Sequence, residues 1–334
     1  MTTPRLRRAL LAATVPVLAL GILSACTATT AAEPSGAPSD AGFPVTIDNC
    51  GSTITLDAPA RRIVLVNDDE LPNLEALRAV DRIVAITATP QPGLYADATY
   101  DALDALSPLT TEQNATGGSV VSQESILGAS PDLVIAPENA VDRDALAASG
   151  IPVYSPTAYC SNPDPALSRT ATFDRVWDEV RSLGGLLGAG EQAEQAIAAA
   201  KATVQSPAPD AGTAAALYVS SGGAVLSPYG GPSMVTPVFA AAGLTNVYAD
   251  SDQRVFDASV EDIISRDPGT IVLLYSSGDP QSTIDAFLST PGVSGLSAVR
   301  DDRVTALRFP YTDPPSVLSV RGPGELARLL DGLG

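Results

Sequence analysis

The chain has 334 residues, 38 acidic against 19 basic for a formal net charge of −19, and no histidine. That balance disfavours nucleic acid as a partner, because binding it depends on neutralising phosphates with Lys and Arg; acidity of this kind serves solubility and repulsion at a crowded surface. Without imidazole the commonest zinc ligand and the usual serine-hydrolase base are both missing, so several enzyme classes recede together.

Residues 1–25 read as a secretory signal, with Arg5, Arg7 and Arg8 ahead of an apolar run over 9–22 and then Leu23-Ser24-Ala25 before Cys26. The apolar run is shorter than the roughly 20 residues that cross a bilayer. Its ending resembles the lipobox of bacterial lipoproteins, in which the cysteine sulfur receives a diacylglycerol and the signal is cut just before it. The resemblance implies lipidation of Cys26 and a protein anchored to the cell membrane on its extracytoplasmic side. Residues 26–42, rich in Thr, Ala, Ser, Pro and Gly, are expected to form a flexible tether. The remainder is long enough for two lobes with their own cores and contains no second long apolar run.

Two cysteines remain after processing, Cys50 and Cys160. Outside the cytoplasm an even pair predicts one disulfide. A nucleophilic Cys160 would lack its histidine base.

Short apolar runs alternate with amphipathic segments, the pattern of an α/β protein. Buried strands are predicted over residues 62–66, 83–86, 133–136 and 152–154, and again over 214–219, 271–275 and 304–307. Between the two sets, Pro163-Asp164-Pro165 is expected to open a long helix over about 167–187, with Phe173, Val176, Trp177, Val180, Leu183 and Leu187 on one face. Gly184, Gly185, Gly188 and Gly190 are expected to break it before a second helix over about 191–204. The predicted division is therefore an N-terminal lobe over 43–165, a linking helix region over 166–205 and a C-terminal lobe over 206–334.

An internal echo supports two related lobes. Ser122-Gln123-Glu124 precedes Pro131 and an apolar run, and Ser259-Val260-Glu261 precedes Pro268 and another, in the same register. Each serine suits a helix cap and each glutamate the positive first turn, so capping alone accounts for both carboxylates.

An ordered series of further motifs carries a family resemblance. It runs through Gly51-Ser52-Thr53-Ile54-Thr55-Leu56 with Pro59 and Arg61-Arg62-Ile63-Val64, then Leu77, Asp81-Arg82-Ile83-Val84, Pro131-Asp132-Leu133-Val134 and Gly150-Ile151-Pro152-Val153. Leu183-Gly184, Leu187-Gly188, Ala241-Ala242-Gly243-Leu244, Asn246-Val247, Asp250, and Val304 followed by Arg308 continue it. From Phe43 onward the chain resembles the substrate-binding lipoproteins of ABC importers for ferric siderophores, haem and cobalamin. The resemblance implies two Rossmann-like lobes joined by a single long helix, with small closure and the ligand in the cleft between them. It also implies a role for Glu124 and Glu261, one per lobe, in docking onto arginines of the permease. Two departures stand out, Arg78-Ala79-Val80 in place of a Leu-Gly-like turn and an acidic loop over residues 68–73; both bear on the ligand more than on the fold.

Open sheets bind ligands beyond the carboxyl ends of their strands. The loops there put forward Asn67, Tyr95, Asn139 and Tyr159 from the first lobe and Tyr229, Arg254, Arg308 and Tyr311 from the second. Phenol rings cover apolar ligand faces and guanidinium forks hold carboxylates or catecholates. Any one of the tyrosines could equally be a core or rim residue, and Asp313 or Asp257 could engage an arginine in an ordinary ion pair. Trp177 fits the apolar stripe of its helix and is expected in the core.

The reading that follows is a monomeric, membrane-anchored receptor for a ferric siderophore, delivering it to an ABC permease, with no permanently bound cofactor, no protein metal site and no catalysis. Cobalamin or another corrinoid, and haem through a tyrosine, are alternatives within the class. A secreted hydrolase built on a carboxylate pair and a lipoprotein that only scaffolds a partner are the alternatives from outside it.

Overall fold

The computed structural model describes residues 42–333 except 108, 110, 114–118, 162, 205–208 and 221–224. The signal, Cys26 and nearly all of the tether lie outside the described residues. Among the described residues no helix is long and apolar enough to cross a membrane.

The first lobe begins with a hairpin of β1 (Val45–Asn49) and β2 (Ser52–Leu56). Its two turn residues, Cys50 and Gly51, both have positive φ, which matches the twist of the flanking strands. There follow β3 (Ile63–Leu65), α1 (Leu71–Ala76), β4 (Ile83–Ile86), α2 (Asp97–Asp104) and a short hairpin of β5 (Glu112–Gln113) and β6 (Ser119–Val120). The lobe closes with α3 (Gln123–Gly128), β7 (Leu133–Ile135), α4 (Arg143–Ala148) and β8 (Val153–Tyr154). Its main sheet is parallel, in the order β4-β3-β7-β8. The chain leaves β3 in one direction for β4 and lies on the other side for β7, so a crevice opens beyond the ends of β3 and β7.

Two antiparallel helices, α5 (Asp174–Leu186) and α6 (Gly190–Thr203), link the lobes. The linking helix starts at Asp174, later than the proline pair predicts. Asp164 caps only a single 3-10 turn over Pro165–Ser168, and Ala171 N–H then bonds the carbonyl of Gly231, which holds the chain extended. Gly184 and Gly185 do not break α5. A Cβ on Gly184 would sit 2.6 Å from that of Ala193, so this glycine lets α5 and α6 approach, and the turn falls at Gly188, where φ is +60°.

The second lobe comprises β9 (Gly212–Ser220), β10 (Val225–Pro228), α7 (Val235–Ala241), β11 (Leu244–Asn246) and α8 (Val260–Arg266). It continues with β12 (Thr270–Tyr275), α9 (Pro280–Leu288), α10 (Ser297–Arg300), β13 (Val304–Arg308) and α11 (Val317–Asp331). Strand order is β10-β9-β12-β13, with β11 parallel to the start of β9; only β10 runs antiparallel.

Central strands buried on both faces divide their side chains between cores, as parallel sheets require. Val64 and Val134 face a core private to the first lobe, and Ala215, Leu217, Ile271 and Leu273 one private to the second. The opposite faces, Ile63, Leu65, Leu133 and Ile135 in one lobe and Val272 and Leu274 in the other, join α1, α5, α6, α7 and α11 in a single continuous core. Because that core is shared, the lobes cannot part far without exposing apolar surface at about 25 cal/mol per Å². Trp177 is in this core, 5% exposed, with Lys201 Nζ 5.3 Å above its ring.

Beneath the first lobe's crevice lies a buried acid pair. Glu70, ahead of α1, and Glu179, on α5, are both sealed from solvent. Glu179 accepts from Tyr154 Oη at 2.5 Å and from Thr157 Oγ1 at 2.5 Å, whereas Glu70 accepts from Asn73 Nδ2 at 2.7 Å through one oxygen and has no partner for the other as a carboxylate. Burial and the charge of Glu179 push Glu70 well above the usual carboxylate range; protonated, its orphan oxygen donates to Glu179. A folded-state pKa raised in this way contributes stability that is complete below about 4.5 and is lost as pH rises through the raised value. Thermal stability is therefore expected to fall as pH rises above about 4.5 toward the raised value. Glu70→Gln, which keeps the donor and removes this group's titration, is expected to make the profile shallower and to raise stability at its alkaline end, as measured by calorimetry across a pH series.

Candidate ligand cleft

The loop after β3 carries Asn67, Asp68 and Asp69 into the crevice. Asn67 has φ of +67°, a conformation Asn tolerates better than most residues, and its N–H donates to Thr87 Oγ1 at 2.7 Å. Its side chain is committed to Asp69, donating through Nδ2 at 2.5 Å and accepting from Asp69 N–H at 3.0 Å. Tyr159 Oη also donates to Asp69.

Tyr159 is held in place through its neighbour. The Cys50–Cys160 disulfide is formed, with the Cα atoms 5.0 Å apart, and it ties the Tyr159 segment to the β1–β2 turn. Asn49 strengthens the tie by donating to Ser155 O at 2.8 Å and accepting from Ser155 N–H at 2.8 Å.

From the second lobe come Tyr229, after β10, and Arg254, on the strand-like segment beside it. Tyr229 bridges to Val255, and Gly230 N–H bonds Arg254 O at 2.9 Å. The approach needs a glycine, since a Cβ on Gly230 would meet Gln253 O at 2.2 Å. The Arg254 guanidinium pairs with Asp313 and lies 5.0 Å from the Tyr159 ring centroid and 6.0 Å from that of Tyr229. The Asp313 side chain is 1% exposed and also accepts from Met234 N–H at 3.1 Å. Phe309, after β13, stands 6.2 Å from both Tyr218 and Tyr229 and completes an aromatic wall.

These residues enclose a cleft of about 320 Å³ between the lobes, lined from one side by Asn67, Asp68, Asp69, Gln91 and Tyr159, and from the other by Tyr218, Tyr229, Arg254, Ser276, Phe309 and Pro310. A larger groove of about 470 Å³ lies among α1, α6 and α11, away from the strand-end loops. Burial and the charge of Asp68 push Asp69 up to about 7, and burial raises Asp68 as well. Burial, then the charge of Asp69, pushes the Tyr159 phenol well up, and burial does the same to Tyr229.

Of the eight ligand contacts read from the sequence, the structure brings Asn67, Tyr159, Tyr229 and Arg254 together in the cleft. Arg308 sits at its edge, donating across the lobes from Nη1 to Pro92 O at 2.8 Å. Tyr95 is buried, its ring packed edge-on against Tyr100 at 5.8 Å. Tyr311 is buried beside α11, where Phe309 and Pro310 of the same turn line the cleft instead. Asn139 is exposed and lines no part of it. Asp68, Asp69, Gln91, Tyr218, Ser276 and Phe309 were not singled out, although the acidity of residues 68–73 marked the first two. Glu124 and Glu261 are both exposed in the first turns of α3 and α8, capped by Ser122 and Ser259 in matching geometry.

Two parallel-sheet lobes on a helical link, with a ligand-sized cleft across the strand ends, define a solute-binding protein. The sequence profile of the family described as "Periplasmic binding protein" matches residues 63–311, and the chain belongs to that family. Among solved structures, a component of an "ABC-type Fe3+-hydroxamate transport system" from Saccharomonospora viridis is 34% identical, with a TM-score of 0.77 over 86% of this chain and 99% of that one. The periplasmic haem-binding protein RhuT from Roseiflexus sp. RS-1 (22% identity, TM-score 0.59, 82% and 99% covered) and the vitamin B12 binding protein BtuF of Vibrio cholerae (19%, 0.52, 82% and 98%) share the fold. No protein of curated function matches the chain. Members of this family are extracytoplasmic substrate-binding proteins of ABC transporters, not enzymes.

Proposed function

We propose that the protein is a lipid-anchored receptor, held on the outer side of the cell membrane through Cys26, that captures a ferric siderophore as a monomer and hands it to an ABC permease. The observation that carries this reading is the cleft itself, where four aromatic rings and a few convergent polar groups face a space for a compact chelate. The 34% identity with a protein from an Fe3+-hydroxamate transport system points to the same ligand class. Haem held by a tyrosine is less favoured, because the Tyr159 hydroxyl is engaged by Asp69 and the rings of Tyr159 and Tyr229 both lie against the Arg254 guanidinium. Native mass spectrometry of the protein in a mixed pool of ferric hydroxamates, ferric catecholates, haem and corrinoids tests the assignment. A single ferric siderophore retained at unit stoichiometry is expected; retention of haem or a corrinoid alone would overturn it.

Docking is assigned to Glu124 and Glu261, whose equivalent exposed positions suit charge pairing at a rim, where it sets orientation and association rate. Replacing both with alanine is expected to leave chelate affinity within twofold and to slow uptake at least tenfold in cells carrying the permease. Unchanged uptake would return both residues to helix capping.

A further inference from the structure

Resting on the siderophore reading, we propose that this cleft selects a ferric chelate bearing a protonated primary amine, and that Asp68 receives the ammonium group. The argument begins with the charges. Arg254 is the cation among the cleft-lining residues, and it is already matched by Asp313 and covered by two tyrosine rings. Opposite it stand two carboxylates, Asp68 and Asp69. Asp69 is occupied by Asn67 and Tyr159, whereas among the described residues Asp68 pairs with no cation and receives no side-chain donor. The unmatched Asp68 carboxylate opposes an anionic tris-catecholate and favours a cation.

Independent observations point to a missing donor. Gln91 Oε1, in the cleft lining, is buried without a hydrogen-bond partner, and so is the hydroxyl of Tyr95, a residue only 8% exposed. Tyr95 lies four positions after Gln91 on the segment between β4 and α2. A carboxylate, an amide oxygen and a phenol oxygen are all acceptors, and buried acceptors left unmatched are costly. An ammonium offers three donors and one positive charge.

The test compares a linear ferric tris-hydroxamate that ends in a primary amine with the same chelate N-acetylated, by isothermal titration against the mature chain. The free amine is expected to bind at least tenfold more tightly, and Asp68→Asn to bring the ratio of the two affinities to within about twofold. Equal affinity of the two chelates for the unaltered protein, or a tenfold preference that survives Asp68→Asn, would overturn the assignment while leaving the receptor reading in place. Tighter binding of a ferric tris-catecholate would do the same. Failure of every ferric chelate to bind would overturn both.

Discussion

Arg254→Ala is expected to lower chelate affinity at least a hundredfold and to destabilise the protein by about 3–5 kcal/mol, the cost of removing one partner from a buried ion pair. The guanidinium joins three features of the cleft, namely the Asp313 carboxylate and the rings of Tyr159 and Tyr229. Its loss leaves Asp313, 1% exposed on its side chain, with a backbone N–H as its remaining donor. Adding Asp313→Asn should recover much of the stability but none of the affinity, because the neutral amide tolerates burial while the gap between the rings persists. Chemical denaturation and titration of the single and double variants separate the two effects. Additive stabilities would mean that the pair is not coupled.

Removing the disulfide with Cys50→Ser and Cys160→Ser is expected to cost about 4–5 kcal/mol, from a closed loop spanning 110 positions in sequence. For a domain of this size that is roughly 10–15 °C in melting temperature, at about 2–4 °C per kcal/mol. A functional loss should accompany it. Cys160 adjoins Tyr159, so freeing the segment loosens the hydrogen bond to Asp69 and the contact with Arg254, and affinity should fall even at temperatures where the variant is folded. Melting by circular dichroism and titration at 15 °C check the two arms. A destabilised variant with unaltered affinity would show that Asn49 alone positions the segment.

The strands were legible because their apolar runs are short, buried on both faces and separated by helical spacing; the predicted 83–86 matches β4 residue for residue. The β1–β2 hairpin was not, since its strands are half exposed and polar in composition, and neither was β10, which is only four residues long. The linking helix was placed too early because Pro163 and Pro165 look like a helix start, whereas the chain is drawn extended by Gly231 across the lobes, a contact distant in sequence. The site was legible at the level of loops. Which member of a loop faces the ligand depends on local turn geometry, and for this reason Phe309 lines the cleft and Tyr311 does not. The Arg254–Asp313 pair was foreseeable as chemistry, since Asp313 was weighed as an arginine partner, but its place at the centre of the cleft required the fold.

The single tryptophan supplies a built-in lamp. Trp177 is fixed in the core of the linking helix and does not line the cleft, so a guest cannot quench it by touching it. A coloured iron complex lodged between the lobes can still dim it by absorbing its energy across space, whereas the colourless iron-free chelator cannot. Emission from this one indole would therefore report the arrival of metal rather than occupancy alone.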